Sequence, residues 1–371
     1  MRRASSREGD EGYVCPLPLR RQLYFPWRGD PYDRPARSDH RDRDVGAEQS
    51  IMRSYLITRV YALILTLFLL TIIVFALLFM IPGDVVQMII GAEAEHVSPK
   101  FVAELRHFFG LDLPWHRQYW RWARPLLHGD MGISWRTGKP VSQLIADRLP
   151  VTGELTLLSV GLALVLGIIA GVISALYRDR LIDNLARLGS LLGLSIPVFW
   201  QGTMLILFFS LTFRWMPSVV WVSLWVDPWA NVKIMLLPVL CLATASAANI
   251  QRVTRSCMLD VLSSDYIRTA QAKGLARTRV IFKHALKNAL IPITTVAGLQ
   301  LGYLLGGLVI IEEVFTLPGI GRLVLWAIYQ RDYPVILGTI LFIGFSFMMI
   351  NLIVDLIYVV LNPRIRYQEG S

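Results

Sequence analysis

Residues 263–275 have the types and spacing of a short helix that binds a partner, not of a reacting centre. Ser263 or Ser264 can cap the N-terminus, and Asp265 follows in the first turn, where the helix dipole favours negative charge. Lys273 falls in the last turn, and Gly274 can take the left-handed conformation that ends a helix. These local signals predict a preformed helix with a defined end.

The predicted helix has a small apolar face, formed by Tyr266, Ile267 and Ala270, that a groove in a partner protein could receive. Leu275 can supply the apolar contact after the turn, and a second helix is expected over about residues 277–290. The surrounding residues 251–288 hold eight Lys or Arg against two Asp, which equally suits a helix lying on anionic lipid. On the residues alone, both interpretations stay open.

Catalytic constellations are not found in the sequence. The segment "GISWRTGKP" lacks the first glycine and the Ser or Thr of a phosphate-binding loop, since Ile133 and Pro140 occupy those places. The four histidines of residues 96–128 lack the spacing of a metal site, and the three cysteines form no CxxC pair. No catalytic residue, metal or cofactor is therefore predicted.

Ionisable residues are almost absent from the apolar segments, whereas ion-coupled carriers place such residues inside their helices. Asp355 and Glu154 are the exceptions, and each is expected to be a structural partner near a helix end. If the protein transports a solute, its energy source is expected to lie outside this chain.

The helices that must position this segment are long and apolar. The chain has 371 residues, of which 54% are hydrophobic and 17% charged, and about 20 apolar residues span a bilayer. We predict an all-α, polytopic membrane protein with six transmembrane helices, over about residues 55–81, 152–177, 188–213, 234–250, 289–311 and 334–361. Pro197, Pro238 and Pro292 are expected to kink or end these helices.

Short loops rich in Lys and Arg lie on one predicted face, which the positive-inside rule makes cytoplasmic. Both termini are then inside, and a multi-pass inner-membrane location is expected. The predicted organisation is a disordered tail (1–51), a first transmembrane helix (52–81), an external helical segment (82–151) and a core of five transmembrane helices (152–367). A basic loop held against a bilayer is not expected to bind nucleic acid.

Several motifs, taken in order, resemble those of ABC importer permeases. "DYIRTAQAKGL" and "HALKNALIP" are similar to the cytoplasmic coupling loop in the dipeptide, oligopeptide, glutathione and nickel branch of that family. The Glu, first Ala, Ile and Pro of the general superfamily pattern are changed here. "IPGD", "HGDMGIS", "EEVFTLPGIGRL" and "YQRDYP" also resemble that branch, and the resemblance covers about residues 52–367.

The resemblance implies an ATP-driven importer in which this chain hydrolyses nothing. Its implied partners are a second homologous permease, two ATP-binding subunits, an extracytoplasmic solute-binding protein and membrane lipid. It also implies that the loop over 251–288 couples to an ATPase subunit, through the following residues: Tyr266, Arg268, Thr269, Ala270, Ala272, Gly274 and Leu275.

Three glycines of the fifth predicted span, Gly302, Gly306 and Gly307, permit close approach of another backbone. They are expected at the pathway or the permease interface, with ordinary helix packing as the alternative. The aromatic residues of the external segment are expected either to receive the binding protein or to pack on their own helices.

The implied substrates are di- or oligopeptides or glutathione-like peptides, with nickel or another small solute as the alternative. A membrane enzyme or scaffold with a lipid-binding basic loop is the alternative from another functional class.

Overall fold

A computed structural model describes residues 57–76, 98–109, 112–218 and 220–361 of the chain. Its helices, numbered in chain order, are α1 (Ile57–Ala76), α2 (Pro99–Phe109), α3 (Trp115–Leu126), α4 (Val141–Ala146), α5 (Leu149–Leu176), α6 (Leu181–Ser195), α7 (Val198–Phe213), α8 (Pro228–Leu262), α9 (Asp265–Ala272), α10 (Arg277–Arg279), α11 (Lys287–Val314), α12 (Ile320–Gln330) and α13 (Tyr333–Leu361). A π-helical segment, Val280–Leu286, joins α10 to α11. The all-α prediction is confirmed for these residues, and the predicted tail over 1–51 lies outside them.

Four stretches of helix in the described residues are long and apolar enough to cross a membrane: α1, α4 with α5, α8 and α13. The pair α6–α7 makes a fifth if it is one broken span. The predicted fifth span lies inside α11, whose 28 residues extend about 42 Å at about 1.5 Å per residue. A polytopic membrane protein is confirmed, whereas six spans and the inside location of both termini stay predictions.

The third predicted span, over residues 188–213, begins earlier, at Leu181, and is broken at Pro197, where the sequence predicts a kink or a helix end. The chain breaks between Ser195 and Val198, and the axes of α6 and α7 differ by 104°. Pro197 has no N–H to donate, and its ring disfavours a helical conformation at Ile196, whose backbone is extended. Each half is therefore too short to cross the apolar layer unaided.

Helix α8 is longer and more central than the predicted span over 234–250. It has 35 residues, and 72% of its most apolar window is buried, the largest share among the membrane-capable helices. Asp227 begins it by accepting hydrogen bonds from the N–H groups of Trp229 and Ala230, both at 3.0 Å. Its last turns occupy residues 251–262, where the sequence predicts a loop.

Small side chains let α5 lie directly against α8. A Cβ atom on Gly171 would stand 2.5 Å from the Cβ of Thr254, and one on Gly167 would stand 2.7 Å from the Cβ of Ile250. Both glycines belong to a buried row at every fourth position of α5: Ala163, Gly167, Gly171 and Ala175. This spacing is the known signal for close helix packing in membranes, and it is visible in the sequence of α5.

The described part of the external segment contains α2, α3 and α4, with a non-helical stretch over residues 127–140, and its aromatic residues divide between two roles. Tyr119 and Trp122 of α3 pack on Phe75 of α1, at ring-centroid distances of 5.4 and 5.5 Å. Trp115 and Trp120 are exposed instead. The α3 helix therefore packs on its own chain with one side and leaves the other uncovered.

Buried carboxylates connect the helices at the end of the bundle opposite α9. Glu312 of α11 accepts from the hydroxyl of Thr152 in α5 at 2.6 Å and from the N–H of Arg322 in α12 at 3.0 Å. Asp332, before α13, accepts from the hydroxyl of Ser134 at 2.5 Å. The backbone N–H groups of Trp135 and Arg136 also donate to Asp332, so the "HGDMGIS" motif and the residues after it are tied to "YQRDYP".

The two ionisable residues predicted as structural partners both have protein partners. Asp355 of α13 lies 3.4 Å from Arg59 of α1, and Glu154 accepts from the indole of Trp221 at 3.2 Å. Each contact joins elements that are far apart in sequence.

We expect Gly171→Val to destabilise the protein much more than Gly161→Val. Both positions lie in α5, so the change in helix propensity is shared, but a Cβ on Gly161 would meet nothing within 4 Å. Overpacking at Gly171 should cost about 1–3 kcal/mol of unfolding free energy. Thermal denaturation of the purified protein in detergent, followed by tryptophan fluorescence, measures the difference. Equal melting temperatures for the two variants would contradict the proposed contact.

Candidate coupling site

The α9 helix follows α8 after only Ser263 and Ser264. Ser264 is the N-cap residue, with extended backbone, and its carbonyl accepts from the N–H groups of Ile267 at 3.1 Å and Arg268 at 3.3 Å. Its hydroxyl donates back to the carbonyl of Val261 at 2.5 Å and caps no N–H of α9. The predicted start is confirmed in position, although the side chain ties the turn to α8.

The predicted end of α9 is also confirmed. Gly274 has φ +75°, and its N–H donates to the carbonyl of Gln271 at 2.9 Å. The N–H of Leu275 donates to the carbonyl of Ala270 at 3.3 Å. These two bonds form a Schellman motif, in which a left-handed glycine satisfies the last carbonyls of a helix.

The apolar face of α9 points inward, so the prediction that it is offered to a partner is wrong for two of its three residues. Ile267 is 0% exposed and Ala270 is 8% exposed. Both belong to a buried cluster that includes Met258 of α8 and Ile281 of the π-helical segment. A helix of eight residues is too short to be stable alone, so its apolar residues anchor it to its own chain.

The rest of α9 is exposed, and we call the exposed residues of the predicted coupling set the α9 outer face: Tyr266, Arg268, Thr269 and Ala272. Asp265 and Gln271 are exposed beside them. The Tyr266 hydroxyl accepts from the side-chain amide of Asn288 at 2.9 Å, which fixes the ring against the start of α11. Arg268 lies 3.9 Å from Asp265, an exposed pair that adds little stability. The outer face therefore presents side chains on a helix held from behind.

The remaining predicted coupling residues serve the fold of this segment. Ala270 is buried, Leu275 is half-buried against the same cluster, and Gly274 is exposed at the turn. The structure thus brings all seven residues onto one short helix and its end, but it separates those facing outward from those that hold the helix.

The predicted second helix begins at Arg277 and continues through the π-helical segment into α11. Val280, Ile281 and Ala285 of that segment are buried against α9 and α8, whereas Phe282 is exposed. Three side chains of this seven-residue π-helical segment point inward, and they complete the apolar surface on which α9 packs.

Gly302, the first of the three glycines predicted at a pathway or permease interface, is closely packed within the chain. A Cβ on Gly302 would stand 2.7 Å from the ring of Phe347 in α13. The surroundings of Gly306 and Gly307 lie outside the described residues. A role at a pathway or permease interface stays a prediction for all three.

A buried ion pair near α9 was not foreseen from the sequence. Arg255 of α8 and Asp183 of α6 are joined by two hydrogen bonds of 2.7 Å. From the sequence, Arg255 is predicted to lie in a cytoplasmic loop. Its spacing of four from Gln251 and three from Met258, both buried, would have placed it on the inner side of a continuing helix.

Comparisons with known proteins agree with this arrangement. Residues 164–367 match the family described as "Binding-protein-dependent transport system inner membrane component", and residues 52–156 match the corresponding N-terminal family. The glutathione transport system permease protein GsiC of Escherichia coli strain K12 is 41% identical over 317 residues, covering 85% of this chain and all of that protein. GsiC of Shigella dysenteriae serotype 1 gives the same identity and coverage.

We expect Gly274→Ala to loosen the end of α9 and Gly274→Asn to do so much less. A Cβ at this position meets nothing within 4 Å, so only the backbone conformation changes the free energy. A left-handed alanine costs about 1–2 kcal/mol, which corresponds to about five- to thirtyfold more opening. Trypsin cleavage after Lys273, quantified by mass spectrometry on the native protein in detergent, should accelerate accordingly. Alanine and asparagine variants that both cleave at the wild-type rate would refute this role for Gly274.

Proposed function

The chain belongs to the binding-protein-dependent transport inner membrane components, as an ABC importer permease of the peptide, glutathione and nickel branch, and from this we propose how it works. It forms, with a second homologous permease, the membrane pathway of an ATP-driven importer. A solute-binding protein delivers the substrate from outside. The chain is a multi-pass inner-membrane permease and not an enzyme, and ATP hydrolysis takes place in two separate subunits.

The observation that carries the proposal is the way α9 is attached to the rest of the chain. Its inner face is buried in a cluster shared with α5, α8 and α11, and both of its ends are fixed by hydrogen bonds. A helix held in this way moves as one body with the bundle, so a push on its outer face reaches the membrane helices. This supports a role for the α9 outer face as the contact with an ATP-binding subunit.

The proposed substrate is glutathione or a short peptide. Relatives that are 41% identical over their full length are glutathione transport permeases, which supports this class. Nickel or another small solute is the alternative within the same branch. The solute bound by the partner binding protein distinguishes these alternatives directly.

Membership of a permease family argues against a membrane enzyme or scaffold whose basic loop holds lipid. The exposed cations of residues 277–287 are compatible with an inside location next to the headgroups. They require no further role to explain them.

We expect Arg268→Glu to weaken binding of the ATP-binding subunits, whereas Arg178→Glu should not. The two arginines are matched, because each is exposed and lies near an aspartate of its own turn, at 3.9 and 3.2 Å. Only Arg268 lies on the α9 outer face, where a reversed charge would face the partner. A loss of about tenfold in affinity, equal to about 1.4 kcal/mol, is expected.

The measurement is co-purification of the ATP-binding subunits with tagged permease, together with ATP-dependent uptake of radiolabelled glutathione and a radiolabelled dipeptide into vesicles. Unchanged assembly and uptake for Arg268→Glu would contradict the contact. Equal losses for both arginine variants would attribute the effect to overall charge.

A further inference from the structure

The carboxylate of Asp183 is enclosed by hydrogen-bond donors from three parts of the chain. Arg255 of α8 donates through Nε to Oδ1 and through Nη2 to Oδ2, both at 2.7 Å. The N–H of Asp179 donates to Oδ2 at 3.0 Å, and the hydroxyl of Ser174 in α5 donates to Oδ1. Asp183 is 0% exposed, and its charge is balanced mainly by Arg255, whose side chain keeps 20% exposure.

The turn between α5 and α6 supplies one of these hydrogen-bond donors. Asp179 has φ +59°, a left-handed conformation that is uncommon for residues other than glycine, and it directs its N–H at Asp183. The paired geometry of the Arg255 fork also fixes the orientation of the two side chains. Three helices and one turn are therefore held in a single relative position.

Stability alone is a weak reason for such a pair, because replacing a buried ion pair by matched uncharged residues is often neutral. Removing only one partner is harmful, since a buried charge is left uncompensated. What the pair provides that an apolar contact does not is a fixed direction and register between helices.

The position of Arg255 connects the pair to α9. It lies about two helical turns before Leu262, at which α8 ends. On the same stretch of α8, Met258 and Val261 are buried in the cluster that seats Ile267. A displacement of α9 is thus passed to α8 close to Arg255.

Beyond Asp183, α6 stays attached to α8 along its length. The Ser190 hydroxyl donates to Oε1 of Gln251 at 2.7 Å. A Cβ on Gly193 would stand 3.5 Å from the Cβ of Ala248. After the break at Pro197, α7 packs on both α8 and α11: the side-chain amide of Gln201 donates to the hydroxyl of Thr244 at 2.6 Å, and a Cβ on Gly202 would stand 3.1 Å from the ring of Phe315, just after α11. The pair therefore acts directly on α6, the first half of the broken span.

From this path we propose that Asp183 and Arg255 are positioning residues that carry displacement of α9 into α5 and α6. The inference rests on the proposed function, since it assumes that an ATP-binding subunit moves α9. Neither residue touches nucleotide or solute. Their loss should lower the amount of solute imported per ATP hydrolysed, while hydrolysis itself continues.

The test uses the complete transporter, with both permeases, the ATP-binding subunits and the binding protein, in proteoliposomes. ATP hydrolysis and uptake of radiolabelled glutathione and a radiolabelled tripeptide are measured on the same preparation, with thermal stability in parallel. The variants are Asp183→Asn, Arg255→Lys, and the double variant Asp183→Asn with Arg255→Met. Arg178→Gln is the matched control, because it removes an exposed ion pair from the same turn.

Asp183→Asn should lower uptake per ATP by about fivefold or more, the size of a typical coupling between sites. Arg255→Lys keeps the charge but loses the fork, so its ratio should lie between Asp183→Asn and wild type. The double variant should regain the thermal stability that Asp183→Asn loses, because no buried charge is left unpaired. Its uptake per ATP should nevertheless stay low.

Three results would overturn the inference: a wild-type ratio in Asp183→Asn, recovery of both stability and ratio in the double variant, or an equal loss in Arg178→Gln. Recovery in the double variant would mean that the pair is only structural. Failure of the proposed function looks different, since the wild-type complex itself would then show no ATP-dependent uptake of either probe.

Discussion

The close approach of α5 to α8 is the contact on which the rest of the structure depends. In a membrane, apolar side chains gain nothing by leaving lipid for a helix interface, so association depends on how closely two backbones can pack. The row from Ala163 to Ala175 removes the side chains that would keep the helices apart. Because α8 is held along this row, the elements attached to its end, α9 above all, have a fixed position.

The way α9 is held by the rest of the chain follows from its short length. Eight residues cannot sustain a helix in water, so the chain supplies what a longer helix would provide for itself. Ile267 and Ala270 bury its inner side, and Gly274 closes its end. The same constraint explains why its outer face is polar: the few apolar positions are already used for attachment.

The limits of sequence reasoning here are physical. The start and end of α9 were predictable because Asp265 and Gly274 act within a few residues of themselves. The direction of Ile267 was not, because periodicity shows which residues share a face but not what covers it. The extent of α8 was missed for a related reason: Arg255 is predicted to be a loop charge, and only the structure shows that it pairs with Asp183, which is distant in sequence. At Pro197 the sequence indicated a break, but only the structure supplies the 104° angle.

Among the described residues, buried carboxylates lie toward the two ends of the bundle. Glu312 and Asp332 join helices at one end, Asp183 pairs with Arg255 at the other, and small, apolar and uncharged polar side chains fill the stretch between. Charged hydrogen bonds fix the direction of the side chains they join, and the close packing of α5 on α8 fixes the stretch between the two ends. Each end is therefore held as a unit, and α5 and α8 hold the two ends in a fixed relation. Under the proposed function, a displacement of α9 reaches Asp183 and Arg255 before it reaches Glu312 and Asp332 at the other end of the bundle.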